Sequence, residues 1–189
     1  MLGQSKLYRF VRGEYTDASL RRALASLSDE AGLHDGSSSI VLRALLALRL
    51  GLPADSVSKL LDWRTFEAFC AQLLTRAGYS VRENVVLKKP RTQIDIVASD
   101  TSTILSIDCK HWGHSIGGFS LARMALSQLE RSRRLRGAMG GGGAPIVSVV
   151  LTLLDQPIRF AEGVAVVPVR TARDFALSVN SYVGLLTLV

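Results

Sequence analysis

Asp108 and Lys110 stand two residues apart in the segment TILSIDCKHW (103–112). Strand alternation turns Ile104, Ser106, Asp108 and Lys110 to one face and Leu105, Ile107 and Cys109 to the other. A carboxylate and an ammonium therefore share one patch. Just upstream, Asp95 lies between Ile94 and Ile96 in TQIDIVAS (92–99), a setting in which a charge needs a partner or a metal. If these two strands pair through their four-residue connection, Asp95 faces the same side as Asp108. Adjacent carboxylates raise each other's proton affinity unless a divalent cation resolves the repulsion. Hard cations such as Mg²⁺ use such sets: a few oxygen ligands, with the remaining positions left to water and substrate phosphate.

Other residues stand near this patch in the pattern. Glu67, between Phe66 and Phe69, adjoins the apolar stripe Phe66, Cys70, Leu73, Ala77 of a helix expected to cross the sheet. Taken alone, each acid is more simply a solvated residue or half of an ion pair; three acids with Lys110 at this spacing are harder to explain that way. Gln128 sits inside the apolar stripe Leu121, Met124, Ala125, Leu129, Leu135, and a buried amide needs partners. Lys88, Lys89 and Arg91 in one loop, and Arg131, Arg133, Arg134 and Arg136 at one helix end, are candidate phosphate contacts. Each cluster also fits a solvated face, and the Arg run also suits a helix C-terminus. His111, Trp112 and His114 follow the motif; neither His has a partner at ligand spacing, and Trp112 reads as sheltering the site or as packing.

Short connections must position these groups. WRTFEAFCAQLLTRAG is an amphipathic helix begun by Asp62 as N-cap and stopped by Gly78. YSVRENVVLK (79–88), 92–99 and 103–112 then form an antiparallel meander. A helix over 119–136, ended by the tract GAMGGGG (137–143), crosses over to a strand at 145–154, which makes that strand parallel to the third. A strand at 163–169 and a helix from about 171 follow. The expected fold is an α/β sandwich around a mixed sheet, spanning 62–189. The glycine tract precedes a strand and lacks GK[ST], so it is a flexible connection and no nucleotide cofactor is expected.

Residues 1–61 read as a separate helical module, with helices over 17–33 (capped by Asp17), 39–50 and 54–61, and turn chemistry at 34–39. Ala47, Gly51 and Val57 have the relative spacing of a helix-turn-helix, although the would-be recognition helix is short and carries only Lys59; plain helical packing accounts for the spacing equally well.

Composition narrows the class. With 48% hydrophobic and 21% charged residues the chain should fold. Residues 1–62 carry 8 basic against 7 acidic residues and 63–189 carry 15 against 9, so the net +7 lies almost wholly in the second part. A polyanionic partner fits that surplus, as does an Arg-rich surface kept for solubility. Two isolated cysteines, Cys70 and Cys109, argue against a disulfide scaffold or zinc site. The N-terminus does not read as a signal peptide, and no apolar stretch is long enough to span a membrane, which makes the cytoplasm the default.

The phrase DWRTFEAFCAQLL, GYSVREN, QIDIVA, IDCKHW resembles the PD-(D/E)xK nuclease superfamily over about residues 62–169. It is most similar to the Mrr-like restriction endonuclease branch and its Holliday junction resolvase relatives, in particular archaeal members with a helical N-terminal extension. Asp108 stands where Glu is common, and no Pro directly precedes Asp95. The resemblance implies a restriction-endonuclease-like three-layer sandwich and a Mg²⁺-dependent DNA endonuclease, with Mn²⁺ as a substitute. It implies that Asp95, Asp108 and the Cys109 backbone carbonyl hold the metal, with Glu67 bound directly or through water, that Lys110 acts on the attacking water, and that Gln128 stands beside the site. Two other readings share the fold: a catalytically inactive DNA-binding or assembly module, and a Holliday junction resolvase, which needs a homodimer. The apolar segment FALSVNSYVGLLTLV can supply that interface or simply finish the core.

Overall fold

The computed structural model describes residues 3–31 and 38–189; the turn expected at 34–39 lies over 34–37 outside the described residues. The chain forms two compact units, Met1–Phe69 and Cys70–Val189, and the division falls within one helix, Trp63–Arg76.

The first unit contains α1 (Gln4–Val11), α2 (Ala18–Ala31), α3 (Ser38–Arg49), α4 (Ala54–Ser58) and the start of α5 (Trp63–Arg76). α1 was not anticipated, yet its signal is present: Leu7, Phe10 and Val11 share one helical face and are buried. α1 and α2 both pack on α3. α2 begins at Asp17, whose Oδ1 accepts the Leu20 N–H at 2.9 Å and the Ser19 hydroxyl at 2.6 Å. At the end of α3 the Leu52 N–H reaches the Ala47 carbonyl, the Gly51 N–H reaches Leu48, and Gly51 takes φ 94°. This Schellman stop requires glycine and buries Leu52. The spacing of Ala47, Gly51 and Val57 thus has a packing reason, and α4 has only five residues.

Asp17 offers a pH test. Its hydrogen bonds to the Ser19 hydroxyl and the Leu20 N–H lower its pKa from 3.8 to about 2. A depressed carboxylate contributes stability above its ordinary range and loses it as pH falls through the folded value. We therefore expect helical signal to weaken between about pH 4 and pH 2, and Asp17→Ala to show a smaller loss over that window by far-UV circular dichroism.

The second unit is built on a six-stranded mixed sheet in the order β1-β2-β3-β4-β6-β5. β1 (Ser80–Lys88), β2 (Arg91–Ser99) and β3 (Ile104–Lys110) form the antiparallel meander; α6 (Gly118–Ala138) crosses over to β4 (Ile146–Thr152), parallel to β3. β6 (Val164–Pro168) joins β4 in parallel, and α7 (Ala172–Ser178) packs against β6. β4 and β6 are buried throughout, and apart from Ser148 and Thr152 they are apolar, whereas the edge strand β1 is largely exposed. Leu121, Ala125 and Leu129 of α6 pack with Val150, Val164 and Val166. α6 therefore covers the sheet face that carries Asp108, because Val150 is the partner of Asp108 in β4. β3 ends at Lys110, short of the expected 112, and the expected 119–136 helix runs to Ala138.

A two-residue strand, β5 (Phe160–Ala161), escaped the sequence reading because it is shorter than any period can show. It joins β6 through Glu162 and Gly163, both at positive φ, which is the tight turn that follows the sheet's twist. β6 pairs with β4 only from Val149 onward. The free start of β4 is taken by the C-terminus: Ile146 and Val189 exchange both backbone hydrogen bonds, and the Thr187 N–H bonds the Gly163 carbonyl at 2.8 Å. The last residues of the apolar tail thus finish the sheet. A Cβ at Gly163 would stand 2.9 Å from the Thr187 backbone nitrogen, at φ 73°. We expect Gly163→Ala to destabilise the chain by about 1–3 kcal/mol in denaturant unfolding. No helix among the described residues is long and apolar enough to cross a membrane.

Candidate active site

β3 carries the centre of the site, and its register explains why. The β2–β3 ladder runs from Ser99↔Ile104 to Ile96↔Ile107 and stops. The next step would place Asp95 opposite Asp108. On the other side of β2 the ladder to β1 also omits this step, opposite Asn84 at φ 52°. Asp95 therefore sits where backbone pairing lapses on both flanks, and its side chain does the backbone's work: Oδ2 accepts the Cys109 N–H at 2.8 Å. Its other oxygen, Oδ1, has no hydrogen-bond partner among the described residues.

Asp108 is buried, at 4% exposure, and both of its oxygens are engaged. Oδ2 lies 2.7 Å from the Lys110 ammonium and Oδ1 lies 2.7 Å from Nη1 of Arg131. Lys110 is placed by alternation two residues along the strand, and its ammonium also lies 5.9 Å from the centroid of the Trp112 ring. Trp112 thus meets the site although it lies beyond the strand. Burial pushes the Asp95 pKa up, and the neighbouring Asp108 charge adds to the rise; the Cys109 N–H, Lys110 and Arg131 oppose it. The lesser contribution, from Asp108, is the repulsion between adjacent carboxylates that the sequence pattern predicts.

α6 supplies the second half of the site. Gln128 is fully buried, and its amide donates to both the Ser106 carbonyl (2.7 Å) and the Ser106 hydroxyl (3.1 Å). Its own oxygen accepts from Arg131 Nη1 at 3.3 Å. One turn on, the Ser132 hydroxyl donates to the Gln128 carbonyl and accepts from Ser148 at 2.7 Å. These polar groups occupy an otherwise apolar helix–sheet interface and satisfy one another, so the helix is fixed in register on β3 and β4.

The basic residues divide by location. Arg91, Arg131 and Arg134 line one cleft beside Thr92, Ser127 and Glu130. Within it Arg134 donates to Thr92 at 3.0 Å and pairs with Glu130 at 3.1 Å. Lys88 and Lys89 are exposed at the β1–β2 turn, and Arg133 is an exposed residue 4.0 Å from Glu130. Arg136, read in the sequence as a phosphate contact, instead spends its guanidinium on the backbone carbonyls of Gly142, Ala144 and Val189. It ties the glycine tract and the C-terminus to α6, a use visible only once those carbonyls are assembled. The link from Arg131 to Asp108 was likewise missed; the available signal was its place three residues after Gln128 on the same helix.

Asp95, Asp108, Lys110 and Gln128 are brought together within the second unit, joined by Arg131. Glu67 belongs to the first unit, half-buried on α5 beside the fully buried Phe66 and Phe69. Among the described residues no three side chains of His, Cys, Asp or Glu are grouped to hold a metal. The pair Asp95 and Asp108 nevertheless suits a hard cation: two mutually repelling carboxylates, one with an open oxygen, are a donor set that Mg²⁺ completes with water and phosphate.

Residues 58–142 match the model of the restriction endonuclease family Mrr_cat, a span that contains β1, β2, β3 and α6. A stretch of 129 residues is 27% identical to an uncharacterized protein of Archaeoglobus fulgidus, covering 65% of this chain and 95% of that protein. Two solved structures are more distant. One, of a protein of unknown function, gives a TM-score of 0.42 at 16% identity over 57% of this chain and 58% of its own. The other, a Vibrio cholerae protein, gives 0.38 at 13% identity over 96% of this chain and 56% of its own. The chain thus spans little more than half of either solved chain.

Proposed function

Because residues 58–142 match the model of the restriction endonuclease family Mrr_cat, we propose that the chain is an Mrr-like PD-(D/E)xK nuclease, a divalent-metal-dependent endonuclease that hydrolyses phosphodiester bonds in DNA. The observation that carries this reading is the juxtaposition of Asp95, Asp108 and Lys110 where the β2–β3 ladder opens. Asp95 and Asp108, with the Cys109 carbonyl, would hold Mg²⁺ or Mn²⁺. When bound, the metal supplies Lewis acidity and a more acidic water at the phosphate. Lys110 orients the attacking water and offsets charge on the phosphate oxygens. Gln128 works at one remove, fixing the Ser106 backbone and the Arg131 guanidinium that flank Asp108.

Lys88, Lys89, Arg91, Arg133 and Arg134 serve as backbone contacts for DNA, so binding should weaken steeply with salt. Arg136 is left out because its donors are bound to carbonyls. The reading extends to a catalytic domain beginning at Asp62, and to a cytoplasmic enzyme that needs no nucleotide cofactor.

The test is cleavage of plasmid, branched and methylated DNA by the full chain with Mg²⁺ or Mn²⁺, beside an Asp108→Ala control. Metal-dependent cutting that the control lacks supports the proposal; no cutting above the control on any substrate refutes it.

A further inference from the structure

Asp108 has two cationic partners, and they are not alike. Lys110 sits on the same strand and is fixed by alternation. Arg131 reaches across from α6, is about one-third exposed (32% for its side chain), and lines the basic cleft with Arg91 and Arg134. Both hydrogen bonds of Arg131, to Asp108 and to Gln128, use the single nitrogen Nη1. Nε and Nη2 make no hydrogen bond to a described residue. A guanidinium normally grips a carboxylate with two parallel bonds; here it touches Asp108 by one corner and keeps most of its fork unused.

A buried carboxylate needs positive charge beside it. Without a metal, Arg131 supplies part of that charge at Oδ1 of Asp108, an oxygen that a cation held by this residue can use. We propose that Arg131 is a latch on Asp108: it occupies the carboxylate in the metal-free protein and is displaced when a divalent cation binds. Its freed nitrogen then turns, with Nε and Nη2, to a phosphodiester in the cleft. Metal binding and grip on the nucleic-acid backbone are thereby coupled through one side chain. Gln128 holds the latch in range of both positions by accepting from the same nitrogen. This inference rests on the reading of Asp95 and Asp108 as the metal-holding pair.

The test is calorimetric titration of the full chain with Mn²⁺ in the absence of DNA, for wild type, Arg131→Gln and Arg134→Gln. The two variants remove the same charge from the same cleft, but only Arg131→Gln removes the bond to Asp108. The expected result is Mn²⁺ binding tightened roughly tenfold in Arg131→Gln, with little change in Arg134→Gln. Melting temperatures in EDTA and in saturating Mn²⁺ give a second readout: Arg131→Gln should be less stable than wild type without metal and gain more on adding it. Should Arg131→Gln not fold, Arg131→Lys keeps the charge on a shorter arm and should shift Mn²⁺ affinity in the same direction by less. Equal shifts in the Arg131→Gln and Arg134→Gln variants, or weaker Mn²⁺ binding by either Arg131 variant, overturn the latch while leaving the metal site standing. Absence of Mn²⁺ binding by the wild type overturns the metal site, and the latch with it.

Discussion

Replacing Asp108 with Asn is expected to lower metal-dependent DNA cleavage by about a thousandfold, with the chain still folded. The size follows from what the residue is asked to do: loss of roughly 4 kcal/mol of transition-state stabilisation corresponds to three powers of ten, and a bound metal contributes several kcal/mol by polarising phosphoryl oxygen and water. Asn keeps the volume and hydrogen-bonding reach of the carboxylate, so Lys110 and Arg131 lose an ionic partner without leaving a cavity. Both partners are partly exposed and can turn to solvent, so the cost in stability should stay near 1 kcal/mol. Single-turnover cleavage rates at several Mg²⁺ concentrations, alongside thermal melting, separate the two effects. A variant that folds and cuts at more than a tenth of the wild-type rate would remove Asp108 from the chemistry.

Lys110→Met should cost about a hundredfold or more in kcat, the loss typical of removing one preorganised charge stabiliser. Met preserves most of the stem and removes the ammonium that lies 5.9 Å from the centre of the Trp112 ring. Because the proposed role is on the reacting phosphate and water, the loss should fall on kcat with little change in KM. Steady-state kinetics on a cut plasmid or oligonucleotide substrate checks the split. A large rise in KM with kcat preserved would make Lys110 a ground-state DNA contact instead.

Much of this site is legible in the sequence. The period of two in β3 places Asp108 and Lys110 on one face because a strand permits no other arrangement, and a four-residue connection between β2 and β3 permits only antiparallel pairing. Asp95 between two isoleucines announced a charge with a job. Gln128 stood out as an amide in an apolar stripe, and its partners proved to be Ser106 and Arg131. The strands at 145–154 and 163–169 were likewise legible, and both are buried along their length as β4 and β6.

What remained hidden shares one property: it depends on groups far apart in the chain meeting. Arg131 and Arg136 stand five residues apart on one helix and look alike in sequence. One is drawn to a buried carboxylate twenty-three residues upstream, and the other is captured by carbonyls as far as fifty-three residues downstream. No local pattern separates them, because the deciding partners arrive only when α6 has docked on the sheet and the C-terminus has paired with β4. The lapse in the β2–β3 ladder is equally non-local, since it is set by where three strands stop pairing. The sequence by itself therefore determined which side chains share a strand face and that two acids and a lysine would lie close, by alternation and short loops. Only the tertiary structure decided that the acids would differ, Asp95 with an open oxygen and Asp108 clasped on both, because that difference is made by a helix crossing over the sheet.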